Sequence, residues 1–430
     1  MHVGLDFGTT NSALGVAMPD GSVRLATFTQ GGAATSTFRS ILYCDPHHRS
    51  RDGAPRIIAG PEAIDAYLGA DPRGRLILSP KSFLASRLFT KTNVYGTFFS
   101  LEEIIGILLR DLRRHAEGQL GDLGRRVLVG RPVVFAGAEG PEDEAFALER
   151  LTRAVQSAGF DEVLFEREPV AAAYRFSQRV DRERLVLIAD LGGGTSDFSV
   201  VRLGPPRGGS TEIRAEILGA SGVAVGGDAF DGRIVRHAVS PALGRRTEYR
   251  GANLKLHPVP MWIYGALERW HHLALLGDPE TMRVLREIGD WAVEKERIQA
   301  LVEVIERNLG YDLYRSVEQA KHALSLDART ELRFERPGIE LRSPVARAAF
   351  DQWIEDELRA IGRAVDEVLD GCGVDPGRIS RVFMTGGSSF VPAVRRVFEE
   401  RFGAERMQGG GELTSVAEGL ALGARLVFRD

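Results

Sequence analysis

Leu185 to Ala189 is a short unbroken apolar run of the kind that forms a fully buried strand. It ends on Asp190, and after Leu191 come three glycines, Gly192, Gly193 and Gly194. Glycines free the backbone to turn sharply and let peptide N–H groups close on a phosphate. Thr195 and Asp197 follow, and apolar residues resume at Phe198. Carboxylates on either side of such a turn are placed to hold the magnesium of a bound phosphate through water. The same grammar occurs from Gly4 to Ser12. Aligning Asp6 with Asp190 puts Gly8 on Gly192 and Thr10 on Gly194, and each copy enters a second strand, at Ala13 to Ala17 and Phe198 to Leu203. The chain carries one phosphate-gripping hairpin twice.

A length of 430 residues calls for two or more subdomains. The net charge of -4 gives no electrostatic reason to expect nucleic acid. No apolar run approaches the roughly 20 residues of a membrane helix. The N-terminus enters a strand with no basic segment before it, so no signal peptide, no membrane and a cytoplasmic location are expected. Cys44 and Cys372, far apart, read as reduced thiols. Of 55 basic residues only Lys81, Lys91, Lys255, Lys295 and Lys321 are lysine. Codon bias explains most of the arginine excess. A retained lysine can still mark a place that needs a compact ammonium, which brings Lys81 and Lys321 forward.

Along the chain, a third strand is expected at Val23 to Phe28, loops at 30–37 and 45–56, and a short helix from Pro61. Ser100 to Leu120 reads as an amphipathic helix, capped by Ser100 with Glu103 at capping-box spacing. A strand from Val127, a helix from Asp143 to Ser157 and a strand at 162–165 lead to a helix opening on Glu168. Gly226 and Gly227 form another glycine turn. Asp228 and Asp231 beside it are equally suited to capping a helix or touching phosphate or metal. Helices are expected around Trp262 and at 298–309 and 317–324, a hairpin at 331–339, a long helix at 346–369 and a last helix at 414–426. Near Arg381 a strand leads to a turn at Gly386, Gly387 and Ser388.

Seven blocks stand in order: GLDFGTTNS at 4–12, SPKSF at 79–83, EPVAAAY at 168–174, ADLGGGTSDF at 189–198, VGGDAFD at 225–231, VEQAKHALS at 317–325 and TGGSSFVP at 385–392. Together they resemble the nucleotide-binding domain of the heat-shock 70 (DnaK-type) chaperones, within the actin/hexokinase ATPase superfamily. The resemblance implies an α/β fold of actin-like, duplicated ribonuclease H-like type, with two lobes around a nucleotide cleft. Lobe I would span 1–182, with 411–430 returning to it. Lobe II would span 183–410, with a helical insertion near 240–315.

Carried over position by position, the resemblance implies ATP or ADP with Mg2+, and room for K+. Gly8, Thr9, Thr10 and Asn11 would bind phosphates from one side, and Gly192, Gly193, Gly194 and Thr195 from the other, with Gly226 and Gly227 alongside. Asp6, Asp190 and Asp197 would hold the metal. Lys81 would neutralise the terminal phosphate, and Glu168, with Asp190 and Thr195, would position the attacking water. Such a set suffices, because phosphoryl transfer rests on positioning and charge neutralisation. Glu318, Lys321 and Ser325 would meet the nucleoside on one helical face, and Gly386, Gly387 and Ser388 would approach the base.

Two departures stand out. The family usually clamps adenine between arginines where this chain has His322 and Phe390, rings able to stack on a purine for about 1–3 kcal/mol; Leu413 stands where the family has an acid. The sequence given also stops after the last helix of the ATPase region, like short putative chaperones of the YegD type, so no peptide-binding domain is expected. Residues 232–317 form a stretch longer than the chaperones have there. Its Trp262, Trp270 and Trp291 are expected to be the stretch's own core rather than anchors for a protein partner. The paired histidines His271 and His272 read as solvated. A slow ATP-hydrolysing switch is the favoured function; a small-molecule kinase or an actin-like filament protein are the alternatives.

Overall fold

The computed structural model describes residues 1–428 apart from 31, 50–52, 71–73, 178–181, 205–213, 252–253, 270–275 and 409–413. Trp270, His271, His272 and Leu413 therefore lie outside the described residues.

Five strands, β1 (His2–Asp6), β2 (Asn11–Ala17), β3 (Val23–Leu25), β4 (Arg126–Arg131) and β5 (Glu162–Arg167), pair in the order β5-β4-β1-β2-β3. The β1/β2 and β2/β3 pairs are antiparallel and the β1/β4 and β4/β5 pairs parallel. Five more strands, β6 (Arg184–Leu191), β7 (Ser196–Gly204), β8 (Arg214–Val223), β9 (Arg381–Thr385) and β10 (Met407–Gln408), repeat this arrangement as β10-β9-β6-β7-β8. The strand directions are also repeated. The duplication seen in two hairpins thus extends to five strands of each sheet; in the first, Phe38–Arg39 also pairs with β2. Register shows it again: Asp6 stands opposite Ala13 and Asp190 opposite Asp197, so the two turns span equal lengths.

Helix α1 (Leu101–Leu120) buries Ile104, Leu108 and Leu112. Its Ser100 hydroxyl accepts from the Glu103 N–H at 3.2 Å while Glu103 accepts from the Ser100 N–H at 2.7 Å, completing the capping box. Helices α2 (Pro141–Ser157) and α3 (Glu168–Ser177) follow, then α4 (Gly227–Ile234), α5 (Gly310–Leu326) and α6 (Ser415–Val427). The last of these packs on β1, β2 and α3. Small residues make that possible: a Cβ at Gly419 would sit 1.7 Å from the Ala171 carbonyl oxygen. Ala171, Ala172, Phe176, Val186, Ile188 and Leu420 share one buried cluster there.

The chain divides into two compact units, one of Met1–Gly69, Ile77–Gly227 and Leu358–Asp430, the other of Ala70–Leu76 and Asp228–Glu357. Both sheets belong to the first. The second holds α5 and the hairpin Arg329–Arg336/Ile339–Ala346, whose turn falls at Pro337 and Gly338 as the sequence implied.

Several expectations change. The expected loop at 45–56 is instead largely the hairpin Ile41–Arg49/Pro55–Ala59, whose polar outer end reads as loop because it is exposed. Strand β3 stops at Leu25, and Phe28–Gln30 pairs instead with Ala33–Thr35. The helix expected at 346–369 is broken into Arg347–Trp353 and Glu355–Cys372, with buried Ile354 off helical geometry between them. In the second unit an unforeseen helix, Pro279–Trp291, is capped by Asp278. Trp262 and Trp291 are not core: they are 52% and 55% exposed, and Ile263, Tyr264, Leu285, Ile288, Ile298 and Leu301 are buried instead. Cys44 and Cys372 are free thiols. No described helix is long and apolar enough to cross a membrane.

Candidate functional site

Each sheet carries an acid at the end of its central strand, Asp6 as the last residue of β1 and Asp190 as the last but one of β6, and then turns through glycines; the two turns meet within the first unit. A Cβ on Gly194 would lie 3.0 Å from the Thr9 hydroxyl oxygen, so the loops after β1 and β6 are neighbours. Two further turns join them. The Gly227 N–H and the Ser388 hydroxyl both donate to the Gly192 carbonyl at 3.0 Å. A Cβ on Gly226 would stand 2.4 Å from the Gly193 carbonyl oxygen, and one on Gly386, at φ +79°, 2.2 Å from that of Leu191. Glycine is required at both, since backbone occupies the space. On the other side the Ser40 hydroxyl donates to the Gly8 carbonyl at 2.7 Å, its N–H donates to the Thr10 carbonyl at 2.9 Å, and Asn11 accepts from Arg39 at 3.5 Å.

Beside these turns sits the charge. Lys81, in the short turn Pro80–Phe83, places its Nζ 2.6 Å from Oε1 of Glu168 at the start of α3, and both side chains are 8% exposed. Burial alone would lower the Lys81 pKa, but Glu168 and Asp6 outweigh it and hold the ammonium more firmly than usual. Burial and the Glu168 charge keep the Asp6 carboxyl well above the usual carboxylate range, against the pull of Lys81. The same two causes push Asp190 up to about 6, even though the Thr385 hydroxyl, 2.7 Å from its Oδ1, favours the charged form. Asp197 is also raised by burial and Glu168, while Thr195 and the Val133 N–H, at 2.6 Å, hydrogen-bond to it. Four carboxylates thus surround one ammonium. Such a donor set fits a hard divalent cation. Among the described residues no three His, Cys, Asp or Glu side chains converge tightly enough to ligate a metal directly, so a fit through water is the one these residues allow.

The four nucleoside candidates of α5 belong to the second unit. Lys321 Nζ lies 2.6 Å from Oδ2 of buried Asp231, which also accepts from the Tyr314 hydroxyl at 2.6 Å. Asp231 is therefore the charge partner of this lysine, which neither of its sequence readings anticipated. Ser325 donates to the Lys321 carbonyl at 3.2 Å, and Glu318 adds negative charge near both Asp231 and Lys321. His322 is exposed, as is Phe390 in the first unit. Sequence reasoning missed Thr385, Ser40 and Asp231 as partners of the named residues. Only the Asp190–Thr385 register of two adjacent strands, invisible without pairing, reveals the first.

Two sheets that share one order of five strands, each carrying an acid and a glycine turn to the same cluster of charge, define an actin-like ATPase fold. The family model for Hsp70 protein matches residues 85–248 and 286–428. The chain belongs to the Hsp70 family. The chaperone protein DnaK of Thermotoga neapolitana is 23% identical over 431 aligned residues, covering 99% of this chain and 59% of that protein. A heat shock 70 kDa protein of Emericella nidulans is 26% identical, covering 100% of this chain and 58% of the relative. The chain thus spans 58–59% of the length of these curated relatives.

Proposed function

We propose that the chain binds ATP with Mg2+ and hydrolyses it slowly to ADP and phosphate, as a conformational switch of Hsp70 type. The observation that carries this reading is the buried Lys81–Glu168 pair at 2.6 Å, set among Asp6, Asp190 and Asp197 beside the neighbouring Thr9 and Gly194 turns. The N–H groups of Gly8, Thr9, Thr10 and Asn11, and of Gly192, Gly193 and Gly194, with Gly226 and Gly227 behind them, cradle the phosphates. Lys81 keeps its proton and offsets the charge of the terminal phosphate. Glu168, held by Lys81, orients water with Asp190 and Thr195. Asp6, Asp190 and Asp197 would hold Mg2+ through water; when bound, the metal neutralises phosphate oxygens. Glu318, Lys321 and Ser325 take the ribose side. His322 and Phe390 are each exposed rings able to stack on a purine, and Gly386, Gly387 and Ser388 would approach the base.

In this reading one lobe is 1–182 with 411–430, built on the first sheet, and the other is 183–410, built on the second. The exposed Trp262 and Trp291 favour a protein partner at the insertion near 240–315, since indoles are common interface anchors. Isothermal titration of ADP with and without Mg2+ tests the binding step. Affinity that ignores both the metal and a Gly194→Val substitution would sink it.

A further inference from the structure

We propose that Arg150 is a positioning residue for Lys81, fixing the irregular segment that follows this lysine; the inference rests on the role given to Lys81 above. Arg150 lies on α2 and is 2% exposed. Its Nη1 donates to the carbonyls of Phe83 at 3.3 Å, Leu84 at 3.4 Å and Ser86 at 3.1 Å. Its Nη2 donates to the Phe89 carbonyl at 3.0 Å and its Nε to the Glu102 carboxylate at 2.9 Å. Residues 84–90 form neither helix nor strand, so no ladder serves their carbonyls. A carbonyl taken out of water without a donor is unfavourable; one guanidinium serves three in this segment, Leu84, Ser86 and Phe89, and adds to the Ser86 N–H that the Phe83 carbonyl already accepts at 3.0 Å.

The other end of the lysine turn is fixed as well. Ser79, fully buried and in left-handed geometry at φ 49°, donates its N–H to the Ser40 carbonyl at 3.2 Å. Ser40 in turn holds the Gly8 carbonyl. Lys81 therefore stands between a backbone anchor tied to the phosphate turn and a segment tied to Arg150. Its own carbonyl accepts from the Leu84 N–H at 3.2 Å, so movement at Leu84 is transmitted to the lysine. A lysine at position 150 offers three donors from one atom and cannot span these acceptors, whereas the planar fork can.

The test compares the full chain with Arg150→Lys and with Lys81→Ala, reading amide hydrogen exchange over 80–90, ADP affinity and single-turnover hydrolysis of Mg-ATP. In Arg150→Lys, exchange over 82–89 accelerates, ADP affinity stays within about threefold, and hydrolysis falls about tenfold or more. Adding Lys81→Ala to Arg150→Lys lowers the rate by less than it does in the wild-type background, as coupled residues require. Glu102→Gln, which loosens the guanidinium without removing it, gives the same changes in smaller amount and serves if Arg150→Lys fails to fold. Unchanged exchange overturns the proposal. Faster exchange with hydrolysis unchanged per folded molecule also overturns it, leaving Arg150 a structural residue only. If the wild type does not hydrolyse ATP, the ATPase reading fails separately, and the exchange of the ADP-bound chain decides whether Arg150 holds the segment.

Discussion

Asp190 carries a cost in the ligand-free protein. Its pKa is raised from 3.8 to about 6, so the folded state binds the proton more tightly than the unfolded chain. Stability from this group is therefore fully present below pH 3.8 and is lost as pH rises through 6. A shift of this size corresponds to roughly 3 kcal/mol at neutral pH. Asp190→Asn should raise the melting temperature of the ligand-free protein at pH 7 and narrow its difference between pH 5 and pH 7, while lowering hydrolysis. Thermal unfolding at both pH values checks this; a less stable variant at pH 7 would contradict it. Thr385→Val removes the 2.7 Å bond to Asp190 and should cost about 1.5–3 kcal/mol, with a higher Mg2+ requirement for nucleotide binding. Titrating Mg2+ against ADP binding reads the second effect directly. At this scale the sequence exposed the acids and Lys81, because motif spacing advertises them. Thr385 and Arg150 stayed hidden, since strand register and a buried fork of hydrogen bonds leave no local pattern.

Among the elements, the meeting of α3 and α6 is the contact with the least slack. Gly419→Ala would drive a methyl to 1.7 Å from the Ala171 carbonyl oxygen and should destabilise the protein by about 3 kcal/mol or more. Gly118→Ala, inside α1 with nothing within 4 Å of the new methyl, should instead stabilise by about 0.5–1 kcal/mol. Denaturant melts of the two variants side by side distinguish packing from propensity. The paired hairpins were legible because an apolar run, an acid and glycines fix both strand and turn. The strand Ile41–Arg49 was not, because Asp45, Pro46 and the two histidines after it carry loop chemistry on an exposed hairpin end. The break at Ile354 was equally hidden: no proline or glycine marks it, and its apolar side chain keeps the helical stripe intact.

For the molecule as a whole, the twofold repetition of one five-stranded plan was readable from two short motifs, and the Hsp70 membership agrees with it. Partner surfaces were not readable, because a tryptophan's neighbours in space, not its neighbours in sequence, decide whether it is buried. Replacing Trp262 and Trp291 together by serine should leave the melting temperature within about 2 °C, since both are half exposed. A large drop would return them to the core. The duplicated fold acts as an ATPase only if Lys81 and the acids around it work on the same phosphate. Phosphate release by the purified chain with ATP and Mg2+, beside Lys81→Ala and Asp190→Asn, measures that directly. Slow turnover by the wild type that both substitutions abolish is the expected result; wild-type release no faster than either variant would contradict it.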